Sequence, residues 1–265
     1  MTGENSIHAK KTPLPESSIN PKDLKGFIGR SDDLEHICRK LMGLEQGEVL
    51  TIKGAGGIGK THIVKKIAVA VAERGLFSGG IHFIDCEPIT DSRLFLFKAA
   101  AVFGLEHAEE DIWQHLRDHH DGQERLIIFD NFETLLYLNE QEEIKAILSK
   151  IADYAKVLVT CRELLKIEGK VDYQMRQLTT DEAETLFLSK VTWATKQEKE
   201  LLRQEILDPL LNNNPLAITL ITSDLPKGRA LLWEFFISNS RFFLCCVAGT
   251  IPGIGPQIWV FQTIF

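Results

Sequence analysis

GAGGIGKT, residues 54–61, follows the G-x-x-x-x-G-K-T pattern of a loop that binds phosphate groups. The apolar run Val49–Lys53 directly before it is typical of a buried strand. After it, apolar residues recur at helical spacing from Ile63 to Val71. A strand, a glycine-rich turn and a helix in this order favour a phosphate-binding loop over an incidental turn. The sequence therefore predicts that the chain binds a nucleoside triphosphate.

The residue types of this loop follow from its chemistry. Side chains at Gly54, Gly57 or Gly59 would block the backbone or demand unfavourable dihedral angles. Lys60 can reach the β and γ phosphate oxygens, and the Thr61 hydroxyl can bind Mg²⁺. A helix that begins near Lys60 adds the partial positive charge of its N-terminus to the site. Lys60 is therefore a candidate catalytic residue, and Thr61 is a candidate metal ligand.

A second motif, Leu126–Asp130, consists of four apolar residues that end on an acid. A buried strand of this kind delivers a carboxylate to the metal at its C-terminal end. By itself the pattern is weak, since many core strands end in Asp at the surface. Here it follows a complete phosphate loop, with one further strand between the two. We therefore predict that Asp130 is a catalytic residue and a partner of Mg²⁺.

Strand-like and helical runs alternate along most of the chain. Strands are predicted at residues 81–85, 126–130, 157–160 and, more weakly, 171–175, and helices at about 32–44, 91–104, 109–118 and 139–153. The first of these helices is expected to be capped by Asp32, with Glu35 three positions further on. This alternation predicts an α/β fold with a mostly parallel sheet covered on both faces, and together with the phosphate loop it predicts a three-layer α/β/α P-loop NTPase.

From Leu178 onward the pattern is helical. Thr179 and Glu182 form a capping box, and further helices are expected near residues 197–211 and 215–222. We place a domain boundary near residue 177. The predicted organisation is a flexible lead-in (1–22), a nucleotide-binding domain (23–177), a small helical subdomain (178–232) and an apolar C-terminal segment (233–265).

Composition narrows the function classes. A chain of 265 residues with 44% hydrophobic residues can hold one α/β domain and a small helical part. Its net charge of −7, without a long basic stretch, gives no electrostatic footprint for nucleic acid, so we expect no direct nucleic-acid binding by this segment. Five cysteines without C-x-x-C spacing, and an N-terminus without a signal sequence, are typical of the cytoplasm.

Six motifs occur in the order seen in NB-ARC domains of the STAND class of P-loop NTPases, and the chain resembles that family over about residues 24–222. The motifs are residues 26–30, the phosphate loop 54–61, Leu126–Asp130, residues 157–162, residues 178–187 and residues 214–217. The resemblance implies that Ile28 and Arg30 contact adenine and ribose, that Arg162 senses the γ-phosphate, and that Pro215 packs near the base. The implied nucleotide-binding residues are Ile28, Arg30, Gly54, Ala55, Gly56, Gly57, Ile58, Gly59, Lys60, Thr61, His62 and Pro215.

One position departs from the pattern of a hydrolytic P-loop protein, which usually places an acid directly after the strand-terminal Asp. Here that position is Asn131, which can hold water without taking its proton, and Glu133 is the candidate substitute. We therefore predict slow ATP hydrolysis or occupancy by ADP. The predicted catalytic residues are Lys60, Asp130, Glu133 and Arg162, and the predicted cofactors are ATP or ADP with Mg²⁺ bound by Thr61 and Asp130.

The C-terminal segment departs from the family as well. From Phe242 to Phe265 there is no charged residue, and Pro252 interrupts the apolar run after about half the length that a membrane span needs. A membrane segment is therefore not expected. A segment folded onto the helical subdomain and an aberrant end, such as a reading-frame change near residues 225–240, both remain open.

The leading hypothesis is an adenine-nucleotide switch of the STAND type, with protein partners through self-association or a signalling effector. A second hypothesis is a non-hydrolysing interaction module in which ADP is structural. A third is an AAA-type remodelling ATPase. Turnover of ATP with a Lys60→Ala control separates the first two, and the third requires ATP-dependent rings.

Overall fold

The computed structural model describes residues 12–15, 19–105, 112–119, 121–191, 199–200 and 202–224. Two compact units make up the chain, Met1–Arg176 and Gln177–Phe265. The first holds a five-stranded sheet with its helices, and the helices described in the second are treated separately below.

All five strands of the first unit run parallel, in the spatial order β2-β3-β4-β1-β5. Their bounds are Val49–Lys53 (β1), Ile81–Asp85 (β2), Leu126–Asp130 (β3), Lys156–Cys161 (β4) and Lys170–Gln174 (β5). The alternating pattern predicted a parallel sheet, and this prediction is confirmed. Because the strands are parallel, every loop that follows a strand emerges at the same edge of the sheet.

Helices cover both faces of this sheet. Their bounds are Ser31–Met42 (α1), Lys60–Glu73 (α2), Ser92–Ala101 (α3), Ile112–His119 (α4), Glu133–Leu136 (α5) and Gln141–Ile151 (α6), with a short 3₁₀ helix at Pro21–Leu24. On one face, α1 and α2 pack against side chains such as Leu50, Ile128 and Leu158. On the other, α3 and α6 pack against the alternate positions, such as Phe129 and Val159. The fold is the predicted three-layer α/β/α architecture of P-loop NTPases.

The start of α1 differs from the sequence prediction. Asp32 was expected to cap this helix, but Arg30 occupies the N-cap position in a left-handed conformation (φ 65°), and Asp32 lies in the first turn. An acid in the first turn still complements the helix dipole. The expected strand at residues 171–175 is β5, which begins and ends one residue earlier.

The second unit is helical where the structure describes it. Helix α7 (Thr180–Lys190) begins with the predicted capping box, in which Thr179 and Glu182 exchange hydrogen bonds. The helix predicted at residues 197–211 is confirmed in part, because residues 199–200 are α-helical and Leu202–Leu207 forms a π-helix, whereas residues 208–213 form turns. Residues 197–198 and 201 lie outside the described residues. Helix α8 (Pro215–Asp224) corresponds to the last predicted helix.

No helix among the described residues is both long and apolar enough to cross a bilayer. The apolar segment 233–265, on which the sequence left two alternatives open, lies outside the described residues, as do residues 1–11 and 16–18 of the predicted lead-in 1–22.

Candidate functional site

The carboxyl edge of the sheet brings the predicted site residues together. The phosphate loop follows β1, Asp130 ends β3, and Arg162 follows β4. Strand β4 lies between β1 and β3 and pairs with both, with Lys53 opposite Cys161 in the register. Segments that are far apart in sequence therefore meet at the start of helix α2.

The loop has the backbone geometry that its glycines were expected to provide. Gly57 and Gly59 adopt positive φ angles of 73° and 99°, where a side chain would be strained. A Cβ atom at Gly54 would lie 3.1 Å from Cγ2 of Ile58, which is tighter than ordinary van der Waals contact. The loop thus turns directly from β1 into α2, which begins at Lys60.

Lys60 is buried, with 8% of its surface exposed. Its Nζ donates to the Gly54 carbonyl at 2.7 Å and to the Ala55 carbonyl at 3.1 Å. Burial lowers the pKa of this ammonium group, and the nearby Glu133 carboxylate opposes the shift. A cation held against loop carbonyls in this way is placed to exchange them for anionic oxygens.

Thr61 and Asp130 are directly hydrogen-bonded. The Thr61 hydroxyl donates to Oδ2 of Asp130 at 2.8 Å, and the Thr160 hydroxyl of β4 donates to Oδ1 of the same carboxylate. Asp130 is 2% exposed, and its two oxygens are oriented by Thr61 of α2 and Thr160 of β4. Sequence reasoning included Thr160 in the motif at residues 157–162 but assigned it no role at the site.

Arg162 and Glu133 form an ion pair. Nε of Arg162 lies 2.8 Å from Oε1 of Glu133, and the backbone N–H of Arg162 donates to Oε2 at 3.3 Å. The arginine side chain is 50% exposed, whereas that of the glutamate is 8% exposed. A Cβ atom at Gly56 would lie 3.6 Å from Cζ of Arg162, so the guanidinium lies beside the phosphate loop.

An aromatic cluster holds the chain on both sides of Asp130. Phe129 and Phe132 pack with Phe95 of α3, at ring-centroid distances of 5.1 and 5.9 Å, and all three rings are buried. This packing fixes the turn from β3 into α5, on which Glu133 is the first residue. The rings therefore determine where the acidic side chains of that turn can reach.

Arg30 is a buried clamp. Its guanidinium donates to the Ile58 carbonyl of the phosphate loop at 2.9 Å, to the Arg176 carbonyl at 2.5 Å and to the Asp33 carboxylate at 2.9 Å. Asp33 also accepts a hydrogen bond from the Tyr173 hydroxyl of β5. Burial raises the pKa of the Tyr173 hydroxyl, and the hydrogen bond to Asp33 raises it further. Sequence reasoning placed Arg30 at the nucleotide but did not predict these contacts.

The other predicted binding residues lie at different depths. Ile28 is half-buried in the segment before α1, and His62 is exposed on the first turn of α2. Lys66 of the same helix lies 6.0 Å from the ring centroid of Phe27, next to Ile28. Pro215 is the first residue of α8 in the second unit, a position that suits its fixed φ angle.

The donor set fits a nucleotide with a divalent cation. Lys60 and the N-terminus of α2 supply positive charge for phosphate, and the Thr61 hydroxyl and the Asp130 carboxylate are the oxygen ligands that Mg²⁺ prefers. Within the described ranges, no group of three or more His, Cys, Asp or Glu side chains is placed to hold a metal ion. Mg²⁺ usually keeps several waters and binds through one or two protein ligands and substrate phosphates, so two protein oxygens are sufficient.

Fold and loop together define a P-loop NTPase. The chain matches the family model Novel STAND NTPase 3 over residues 35–212, which is more than half of its length. It belongs to that family. The narrower resemblance to NB-ARC domains stays a prediction.

Proteins named as HTH-type transcriptional regulators from Mycobacterium tuberculosis and Mycobacterium bovis are 28% identical to this chain over 151 residues. The match covers 56% of this chain and only 16% of each regulator. Among solved structures, the Pyrococcus horikoshii STAND protein with a tetratricopeptide repeat sensor has a TM-score of 0.54 at 21% identity, over 88% of this chain and 34% of that protein. Drosophila ORC bound to DNA has a TM-score of 0.50 at 12% identity, over 84% of this chain and 68% of that one. At these identities the structures support the fold alone.

Proposed function

We propose that this chain binds ATP and ADP with Mg²⁺ and acts as a STAND-type signalling switch that hydrolyses ATP slowly. One observation carries the proposal: at the carboxyl edge of the sheet, Lys60 bonds to the loop, Thr61 bonds to Asp130, and Arg162 lies beside the same loop. Lys60 and Arg162 supply positive charge for the phosphates, and the Thr61 hydroxyl and the Asp130 carboxylate supply oxygen ligands for Mg²⁺. Lys60 binds the β and γ oxygens, and Arg162 binds the γ-phosphate.

The switch follows from the position of Arg162. In the ion pair described above, its guanidinium is held by Glu133. A γ-phosphate offers a competing anion at the loop, and ADP does not. ATP and ADP would therefore favour different placements of Arg162 and of the chain that follows β4, and a ligand shifts an equilibrium only through such a difference in affinity.

The resemblance extends the nucleotide site to Ile28 and Arg30 on the base side and to Pro215 from the helical unit. His62, the third residue of α2, is exposed and is the last of the proposed nucleotide contacts. The partners we propose are proteins, through self-association or a signalling effector. The mycobacterial relatives are named as HTH-type transcriptional regulators, so the output that we propose is transcription control. We do not propose that this segment itself contacts nucleic acid.

A second candidate is a module that holds ADP permanently and does not hydrolyse ATP. Asn131 favours it, because an amide cannot accept a proton from the attacking water in the place where hydrolytic relatives carry an acid. An AAA-type remodelling ATPase is the third candidate, and it would require rings that assemble with ATP.

The test is the turnover of radiolabelled ATP by the purified chain, with Lys60→Ala as the control for contaminating activity. Slow turnover that disappears in Lys60→Ala supports the switch. Bound ADP without any Lys60-dependent turnover supports the permanent module instead. Size-exclusion chromatography with ATP and with ADP detects nucleotide-dependent rings.

A further inference from the structure

Asp85 is a carboxylate that no motif singled out, and it lies at the carboxyl edge of the sheet beside Asp130. It is the last residue of β2, and the register pairs it with Asp130 on β3. Paired residues on neighbouring parallel strands face the same side of the sheet. Phe83, two residues earlier, packs against the core on the α2 face, and Ile84 packs against the opposite core. Asp85 therefore faces the layer from which Thr61 reaches Asp130.

Asn131 connects this acid to the site. Its side-chain Nδ2 donates to Oδ1 of Asp85 at 3.2 Å, and its backbone N–H donates to the Thr160 hydroxyl at 3.1 Å. The same Thr160 hydroxyl donates to Asp130. A left-handed backbone at Asn131, with φ of 58°, directs the two groups to different strands, and Asn adopts this conformation more readily than most residues. Hydrogen bonds thus link Asp85 to the proposed metal ligand.

The Asp85 carboxylate is both oriented by hydrogen bonds and exposed to solvent. The backbone N–H of Glu87 donates to the same Oδ1 oxygen at 3.1 Å, so two donors orient the carboxylate, while the side chain is exposed to solvent. Glu133, the acid that the sequence offered as a substitute, is in the opposite situation. It is buried, and both of its oxygens contact Arg162. Of the two acids, Asp85 is the one that water can reach.

We infer that Asp85 accepts the proton of the attacking water in ATP hydrolysis, and that Asn131 is the residue that positions it. The water oxygen forms a bond to the γ-phosphorus, and the bond from that phosphorus to the β–γ bridging oxygen breaks, with its electron pair leaving on ADP. The water proton passes to the Asp85 carboxylate and from there to solvent. This inference rests on the proposed function, since it assigns a residue of the same site.

The experiment compares five variants of the full chain: Asp85→Asn, Asn131→Ala, Glu133→Gln, Lys60→Ala and the control Glu87→Gln. Glu87 is an exposed acid two residues from Asp85, so replacing its side chain removes the same charge nearby and keeps the backbone N–H that bonds to Asp85. For each variant, single-turnover ATP hydrolysis gives the rate, fluorescence titration gives the Kd of ATP and of ADP, and thermal unfolding monitors the fold.

We expect Asp85→Asn to lower the hydrolysis rate by about 10²-fold, the lower end of what a general base contributes. Its Kd for ATP should stay within about twofold of the wild type, because the loss is confined to the transition state. Asn131→Ala should lower the rate by roughly tenfold with the same unchanged affinity. Glu87→Gln should retain the wild-type rate.

Three results would overturn the assignment: an unchanged rate in Asp85→Asn, a loss of ATP binding in that variant, or an absence of Lys60-dependent turnover in the wild type. In the last case, ADP binding by the wild type separates this failure from a failure of the proposed nucleotide site. If Glu133→Gln abolished turnover while Asp85→Asn did not, the proton acceptor would be Glu133.

Discussion

Arg162, which follows β4, and Glu133, the first residue of α5, are paired at the carboxyl edge, with 2.8 Å between Nε and Oε1. The pair is asymmetric, since half of the arginine side chain is exposed and nearly all of the glutamate side chain is buried. A buried carboxylate without a partner is costly. Lys60 is the other cation near Glu133, and the carboxylate acts on the lysine pKa. Glu133 therefore opposes the movement of Arg162 toward a phosphate.

Glu133→Gln should raise the affinity for ATP relative to ADP, because the neutral amide competes less with the γ-phosphate for Arg162. A half-exposed pair contributes up to about 1 kcal/mol, so the ratio of the two Kd values should change by roughly three- to fivefold. Titrations with ADP and a non-hydrolysable ATP analogue measure this ratio. Arg162→Ala is the matched variant, in which the preference for ATP should disappear. An unchanged ratio in Glu133→Gln would refute the competition.

Arg30→Ala should destabilise the first unit by about 2 kcal/mol, because it leaves the Ile58 and Arg176 carbonyls without this donor and removes the cation paired with the half-buried Asp33 carboxylate. Arg30→Lys should recover only part of this loss, since an ammonium cannot reproduce the planar guanidinium fork. Urea unfolding measures the free energies. Arg39→Ala is the control, because Arg39 forms an exposed pair with Glu35 on the same helix, a pair expected to contribute about 0.5 kcal/mol or less. Equal effects of Arg30→Ala and Arg39→Ala would show that the clamp does not stabilise the fold.

Thr61→Ala should remove most of the gain in nucleotide affinity that Mg²⁺ provides, whereas Thr61→Ser should keep it. The serine retains the hydroxyl that bonds to Asp130 at 2.8 Å, and the alanine does not. We expect the affinity in Mg²⁺ to fall by roughly tenfold in Thr61→Ala, as is usual when a residue that supports a metal site is lost. Calorimetric titration of ADP with Mg²⁺ and with excess chelator provides the measurement. A Mg²⁺ effect of wild-type size in Thr61→Ala would place the metal elsewhere.

Thr179→Ala should destabilise the helical unit by about 1 kcal/mol, because the Thr179 hydroxyl satisfies the N–H of Glu182 at the start of α7. Thr185→Ala, in the same helix, should be neutral or slightly stabilising, since Thr185 bonds only to a carbonyl within the helix and alanine is the better helix former. Thermal unfolding of the two variants checks the difference. Similar shifts for both would mean that the capping box contributes no stability.

The sequence was sufficient to predict those elements and motifs whose defining residues are close together in the chain. Strand β1, the loop, the start of α2, Leu126–Asp130 and the capping box at Thr179 are each defined by residues within a few positions of one another. The strong alternation of strands and helices likewise predicted a parallel sheet. Sequence reasoning predicted a helix near residue 202 but neither its π form at Leu202–Leu207 nor the turns at residues 208–213.

The remaining features depend on which strands are neighbours. Asp85 meets Asn131 only because β2 pairs with β3, and Thr160 reaches Asp130 only because β4 lies beside β3. Apolar periodicity identifies strands but not their order. The left-handed cap at Arg30 was similarly unpredictable, because two of the acceptors that hold this buried arginine, the Ile58 and Arg176 carbonyls, come from distant segments of the chain.

Identification of the nucleotide that co-purifies with the chain tests the central claim most directly. The protein is denatured and the released nucleotide is analysed by chromatography and mass spectrometry, with Lys60→Ala prepared in parallel. We predict ADP or ATP in the wild type and a strong reduction in Lys60→Ala. A guanine nucleotide, or no nucleotide together with no calorimetric heat from ADP and Mg²⁺, would contradict the account.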